Sequence, residues 1–228
     1  MQRCKTAIGH LDLQSQGGSA LRASVYIDGF NLYHAIDDLG QPYLKWLDLW
    51  KMSDNLVKSH GRLDRVIYCT AYRDRDPGKK ARHRFYLDAL KLTGVTIVFG
   101  HEADERLECH SCGHTWIVKR EKATDMNLGM SLYQDALDNL YDIAFIITAD
   151  SDQAAAFSFV KKRFPEKTLF TVAPPKRPLS KHLLQLANGK KSLQEKDIHA
   201  AIFPQQVTDG AAVVIRPKEY DPVWEQTL

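Results

Sequence analysis

Ile143-Ala-Phe-Ile-Ile-Thr-Ala-Asp-Ser-Asp152 is the stretch on which the fold turns. Its apolar residues run on without alternation, the pattern of a strand buried on both faces in a parallel sheet covered by helices. Two aspartates, Asp150 and Asp152, follow the run at once. Outward from it, Ala23-Ser-Val-Tyr-Ile27 is a comparable run that meets Asp28-Gly-Phe-Asn31, a strand ended by a turn and followed by a helix. Arg65–Tyr72, Val95–Phe99 and Thr168–Val172 supply further strands. Helical spacing fills the gaps: Phe85, Ala89 and Leu92 repeat within 79–92, and Leu128, Leu132, Ala136 and Leu140 share a stripe within 124–140. A helix also follows Asp152, and another lies near Leu179–Ala187. Strands alternating with helices predict an α/β fold, a mostly parallel sheet of about five strands with helices on both faces.

At 228 residues, 44% hydrophobic and 26% charged, the composition is that of one globular domain with appendages. Residues 1–22, with Gly17, Gly18 and Ser19, read as a flexible leader, 23–200 as the folded body with a Cys/His insertion at 101–120, and 201–228 as an extension packed on it. No apolar run approaches the roughly 20 residues needed to cross a bilayer, and no secretory signal opens the chain, so a cytoplasmic location is expected. The net charge of +3 is unevenly spread. Arg73, Arg75, Lys79, Lys80, Arg82 and Arg84 cluster, as do Lys161, Lys162 and Arg163. Either cluster alone is explained by solvated helix ends.

In an open parallel sheet, ligands gather beyond the carboxyl ends of the strands, where loops meet and helix N-termini point. Asp28 ends the first strand, Asp150 and Asp152 follow the fourth, and Asp125 begins the helix leading into it. Like charges about 4 Å apart cost roughly 4 kcal/mol at an effective dielectric of about 20, so four converging carboxylates call for a cation. Hard oxygen donors with room for water suit Mg²⁺ or Mn²⁺, and such a site supports in-line attack of water on a phosphodiester. Singly, each acid has a plainer role: Asp150 and Asp152 can cap the following helix, and Asp28 can brace a turn. Their joint placement at strand ends favours the functional reading, because a helix cap needs one acid and not a converging set.

Cys4 and Cys69 stand alone, while Cys109-His-Ser-Cys112-Gly-His114 reads as a zinc knuckle in which two thiolates grip one tetrahedral ion. His101 and His114 are the nearest candidates to complete a structural Zn²⁺ shell. Such an ion would brace a hairpin and take no part in hydrolysis.

Three blocks now combine. Val25-Tyr-Ile-Asp-Gly-Phe-Asn31, Glu121-Lys-Ala-Thr-Asp125 and Thr148-Ala-Asp-Ser-Asp152 resemble, in that order, the signature blocks of NYN-domain proteins, a branch of the PIN-like nucleases. Ala173-Pro-Pro, Ser180-x-x-Leu183 and Phe203-Pro204 resemble the same family's C-terminal half, so the likeness runs from about Ala23 to Trp224. It implies a PIN-like Rossmannoid fold and metal-dependent ribonuclease activity carried by Asp28, Asp125, Asp150 and Asp152. By the same likeness Asn31 supports Asp28 or touches substrate, Lys122 contacts a phosphate or orients a carboxylate, and Ser151 lies between the two later acids. A C-x-x-C ahead of the Glu-Lys block is common among such proteins and supports the zinc reading. The sequence departs from the family pattern at Ala149 and Gln153, at Ala123 where the family has glycine, and at Ser131 where an acid often stands. Nucleic acid, RNA foremost, is the implied partner. A homodimer, an RNA-binding module without turnover and a phosphatase-like hydrolase stay open.

Overall fold

The computed structural model describes residues 20–72 and 76–222. The leader up to residue 19, including Cys4, and the positions Arg73, Arg75 and Trp224 lie outside that range. In chain order the elements are β1 (Arg22–Asp28), α1 (Gly29–Asp37), α2 (Leu49–Val57), β2 (Arg62–Thr70), α3 (Pro77–Leu92), β3 (Thr96–Phe99), β4 (His101–Glu108), β5 (Thr115–Lys122), α4 (Thr124–Leu137), β6 (Ile143–Ile147), α5 (Ala154–Arg163), β7 (Thr168–Ala173), α6 (Lys181–Leu186), β8 (Gly189–Ser192), α7 (Glu195–His199), β9 (Gln206–Thr208) and β10 (Val213–Ile215). Short 3-10 turns occupy Pro42–Lys45, Ser151–Gln153 and Lys218–Tyr220.

A six-stranded sheet runs β3-β2-β1-β6-β7-β8, parallel throughout. This α/β architecture agrees with the expectation except in strand number. The strand not foreseen is β8, Gly189-Lys-Lys-Ser192, which carries no apolar run. It is an edge strand, and edges tolerate, even favour, lysines that block further pairing.

Alternate residues of each central strand feed two cores. Val25, Ile27, Val66, Tyr68, Phe145 and Ile147 pack with α1, α2 and α3 on one face. Tyr26, Ile67, Cys69, Ala144 and Ile146 pack with α4, α5 and α6 on the other. Because both faces are covered, β6 is wholly buried, which is why its sequence shows no alternation. The end of the chain joins the first core through Phe203 and Val207. There the Trp46 indole Nε1 donates to the Pro204 carbonyl at 2.9 Å.

From β1 the chain steps outward to β2 and β3, then returns to β6 on the opposite side of β1 before continuing to β7 and β8. The strand order therefore reverses between β1 and β6. In open α/β sheets the crevice at such a switch point is where ligands bind.

Candidate active site

Asp28 closes β1 and caps α1, its Oδ1 accepting the Asn31 amide at 3.0 Å. Its Oδ2 accepts a hydrogen bond from the Thr148 hydroxyl at 3.0 Å, across the switch point. The same hydroxyl accepts the Asp150 amide at 3.0 Å. One threonine thus ties the first acid to the loop that carries the later two. Asn31 strengthens that tie, since its Oδ1 accepts the Ala149 amide at 3.1 Å. Asn31 thereby braces α1 against the loop after β6.

Asp28 is only 3% exposed. Burial pushes its carboxyl above the ordinary range; the bonds from Asn31 and Thr148 oppose this, and the charge of Asp150 adds to it. Cys69, at the end of β2, has its thiol pushed up to about 12 by burial, with the charges of Asp28 and Asp125 both contributing. Asp125 therefore lies close enough to the strand ends to be felt there, although it is exposed on the first turn of α4. Asp152 is exposed on the 3-10 turn, and its amide donates to Asp150 Oδ1 at 2.9 Å. The capping role weighed for Asp150 is thus real, and Asp28, weighed as a turn brace, caps α1; both roles coexist with their link through Thr148. Ser151 is exposed on the same turn.

The full convergence expected of the four aspartates is not observed. Among the described residues no three His, Cys, Asp or Glu side chains are gathered closely enough to hold a metal ion. The charge of Asp150 is felt at Asp28, while Asp125 and Asp152 are exposed, one on α4 and the other on the turn. The donor set still suits a hard divalent cation, because a buried carboxylate facing a second one has a deficit of positive charge that such an ion supplies.

Lys122 pairs with Glu105 across the β4–β5 hairpin at 3.4 Å. One expectation needs correction. His101 cannot join Cys109 and Cys112 on one ion. The insertion folds as an antiparallel hairpin in which His101 pairs with Lys122 at the base, whereas Glu108 pairs with Thr115 next to the cysteines. Seven residue steps at about 3.3 Å each separate the two ends. At the tip, His114 stacks on Trp116 with centroids 6.0 Å apart.

Two contributors were not singled out from sequence. Thr148 gave no signal beyond a hydroxyl at a strand end. Gln153 entered only as a departure from the family pattern, yet it is buried and its Nε2 donates to the Asp125 carbonyl at 3.0 Å, joining α4 to the acidic turn.

Beside Gly29, on the α1 and α3 face, lies a cavity walled by Phe30, Tyr33, Tyr68, Tyr86 and Tyr220. It opens into a groove of about 750 Å³ of mixed charge, lined by Lys79, Lys80, Arg82 and Lys119 together with Asp37, Asp76, Glu102 and Glu219.

Known proteins bear out the family. The NYN domain model matches residues 22–189. The chain is similar to 6-hydroxy-3-succinoylpyridine 3-monooxygenase HspA of Pseudomonas putida, 24% identical over 240 residues that span 88% of this chain and 75% of that protein. Its fold is similar to the crystal structure of a protein of unknown function from Vibrio parahaemolyticus, with a TM-score of 0.51 and 14% identity, covering 79% of this chain and 98% of that one. No helix among the described residues is long and apolar enough to cross a membrane. With the match running from β1 to the start of β8 and taking in both strands of the switch point, the chain belongs to the NYN-domain family, a PIN-like family of nuclease type whose domains act on nucleic acid.

Proposed function

We propose that this protein is a metal-dependent ribonuclease that hydrolyses phosphodiester bonds at the β1/β6 switch point. The observation that carries the reading is the pairing of Asp28 with Asp150 through Thr148 at the carboxyl ends of adjacent parallel strands. Asp28 and Asp150 would hold Mg²⁺ or Mn²⁺, with Asp125 and Asp152 flanking them. The ion, when bound, supplies an activated water and offsets charge on the phosphate oxygens. Asn31 and Thr148 fix the carboxylates before substrate arrives, which is where an electrostatic site gains most. Lys79, Lys80 and Lys119 offer the groove to a phosphate backbone. The experiment is cleavage of a labelled single-stranded RNA in Mg²⁺ and in Mn²⁺. Asp150→Asn keeps the acceptor for the Asp152 amide, so it should fold with an unchanged melting profile and lose at least about a hundredfold in rate, the loss of a key electrostatic group. Equal cutting by parent and variant would end the nuclease reading. RNA bound without product in either metal would mark a binding module instead.

A second reading follows from the similarity to a protein named for oxygenating a pyridine ring, together with the aromatic cavity beside Gly29. Consumption of a heteroaromatic acid that requires both oxygen and an added two-electron reductant, unaffected by Asp150→Asn and with RNA left intact, would favour it.

A further inference from the structure

The geometry points to the cavity beside Gly29 as a nucleobase pocket, which takes an unstacked base of the strand whose phosphodiester lies at Asp28 and Asp150; this rests on the nuclease reading of that site. Position is the first argument. Gly29 and Phe30 directly follow Asp28, so the cavity wall begins where the acids end. A Cβ on Gly29 would sit 2.9 Å from the Tyr68 ring and 2.5 Å from the Cys69 carbonyl, so only glycine lets α1 rest this closely on the end of β2. Tyr68 and Cys69 face opposite sides of the sheet. A strand crossing the crest of the sheet therefore has carboxylates under its phosphate and this aromatic flank beside its next base.

The chemistry of the walls is the second argument. Hydroxyl groups on the floor are already engaged: Tyr86 donates to the Leu47 carbonyl at 2.8 Å, and the Tyr68 hydroxyl bonds to Thr70. What the floor presents is ring surface. Tyr33, 38% exposed, and the half-buried Tyr220 belong to both cavity and groove and so form the mouth. Lys45 lies over the Tyr33 ring at 5.2 Å and pairs with Asp37, which restrains that ring in place. His83 also lines the cavity, and burial lowers its pKa to about 4. It is a neutral imidazole at neutral pH, one nitrogen donating and one accepting, a match to the mixed edge of a base. In the adjoining groove Lys79, Lys80 and Lys119 stand among Asp37, Asp76, Glu102 and Glu219, so a backbone would be met there by lysines interspersed with acids. Aromatic platforms beside cationic grooves are how single strands are held, and duplexes cannot deliver a base to such a pocket without unpairing it.

The test uses full-length protein silenced by Asp150→Asn and short fluorescein-labelled single-stranded RNA, with affinity read by anisotropy. Tyr33→Ala should weaken binding about tenfold or more, the loss of one stacked base, while Tyr33→Phe keeps the parent affinity. The salt dependence should not change, because phosphate contacts remain. An abasic nucleotide placed at one position of the RNA should erase the difference between the parent and Tyr33→Ala. Tyr33 is at the surface, and an unaltered melting curve confirms that the variant folds. Equal affinity of Tyr33→Ala and parent, or a loss that persists against every abasic RNA, overturns the pocket. So does a cavity that binds nicotinate while Tyr33→Ala leaves RNA affinity untouched. Failure of the nuclease reading appears elsewhere, as cleavage that survives Asp150→Asn, so the two failures are distinguishable.

Discussion

Thr148 concentrates the logic of the site in one hydroxyl: it donates a hydrogen bond to a buried carboxylate and accepts one from the amide that starts the next acidic loop. A carboxylate buried this deeply is costly when ionised, and the raised pKa of Asp28 says that the fold bears that cost at neutral pH. The sign follows from proton binding. The folded state holds the proton more tightly than the unfolded chain, so lowering the pH through the interval between the two pKa values adds stability, and above it the charged group is a net penalty. Asp28→Asn keeps an Oδ1 to accept the Asn31 amide and removes the charge, while its Nδ2 becomes a donor to the Thr148 oxygen in place of the bond that Oδ2 accepts. In the presence of a chelator it should stabilise the fold by about 0.5–2 kcal/mol while abolishing cleavage, as measured by urea unfolding. A destabilised variant would mean that the carboxylate braces the structure more than it strains it. Asp28 and Asp150 were legible from sequence because each ends an apolar run. Thr148 was not, since a hydroxyl at a strand end is commonplace and its partner stands 120 positions away.

Elements were readable where burial imposes a pattern and opaque where it does not. The apolar runs of β1, β2, β6 and β7 follow from two covered faces, whereas β8 is polar because an edge strand needs no second neighbour. The β4–β5 hairpin stands outside the main sheet, so its metal-binding reading leaned on spacing and family likeness, and neither could show that His101 belongs to the base. Lys122 was placed by family likeness, which carries no information about the cross-strand pull of Glu105. The likeness was informative at Ala123. This residue precedes α4 in the left-handed region, at φ 73°, where the family pattern has glycine. A left-handed alanine costs roughly 1–2 kcal/mol, part of which glycine returns as greater freedom of the unfolded chain. Ala123→Gly should therefore raise stability by about 0.5–1 kcal/mol, seen as a higher melting temperature; no rise would show that the turn before Asp125 is set by tertiary contacts alone.

For the whole molecule, the sequence made the parallel α/β architecture plain, but not the order of its strands, because the return to β6 beside β1 depends on packing at long range. Global stability should carry the mark of one further group. His83 is held neutral in the fold, with a pKa of about 4 against 6.5 for a free imidazole. The unfolded chain takes up that proton first as the solution is acidified, so stability falls between about pH 6.5 and 4, by roughly 2 kcal/mol after allowance for partial solvent access. His83→Leu should flatten that part of the profile in chemical denaturation at successive pH values, and an unchanged slope would place the titration elsewhere. The reversal of strand order between β1 and β6 has one more effect. Since Asp28 ends the first strand of the sheet and Asp150 follows the fourth in chain order, a growing polypeptide holds Asp28 long before Asp150 exists to meet it, and the carboxylate pair forms only once β6 has docked beside β1.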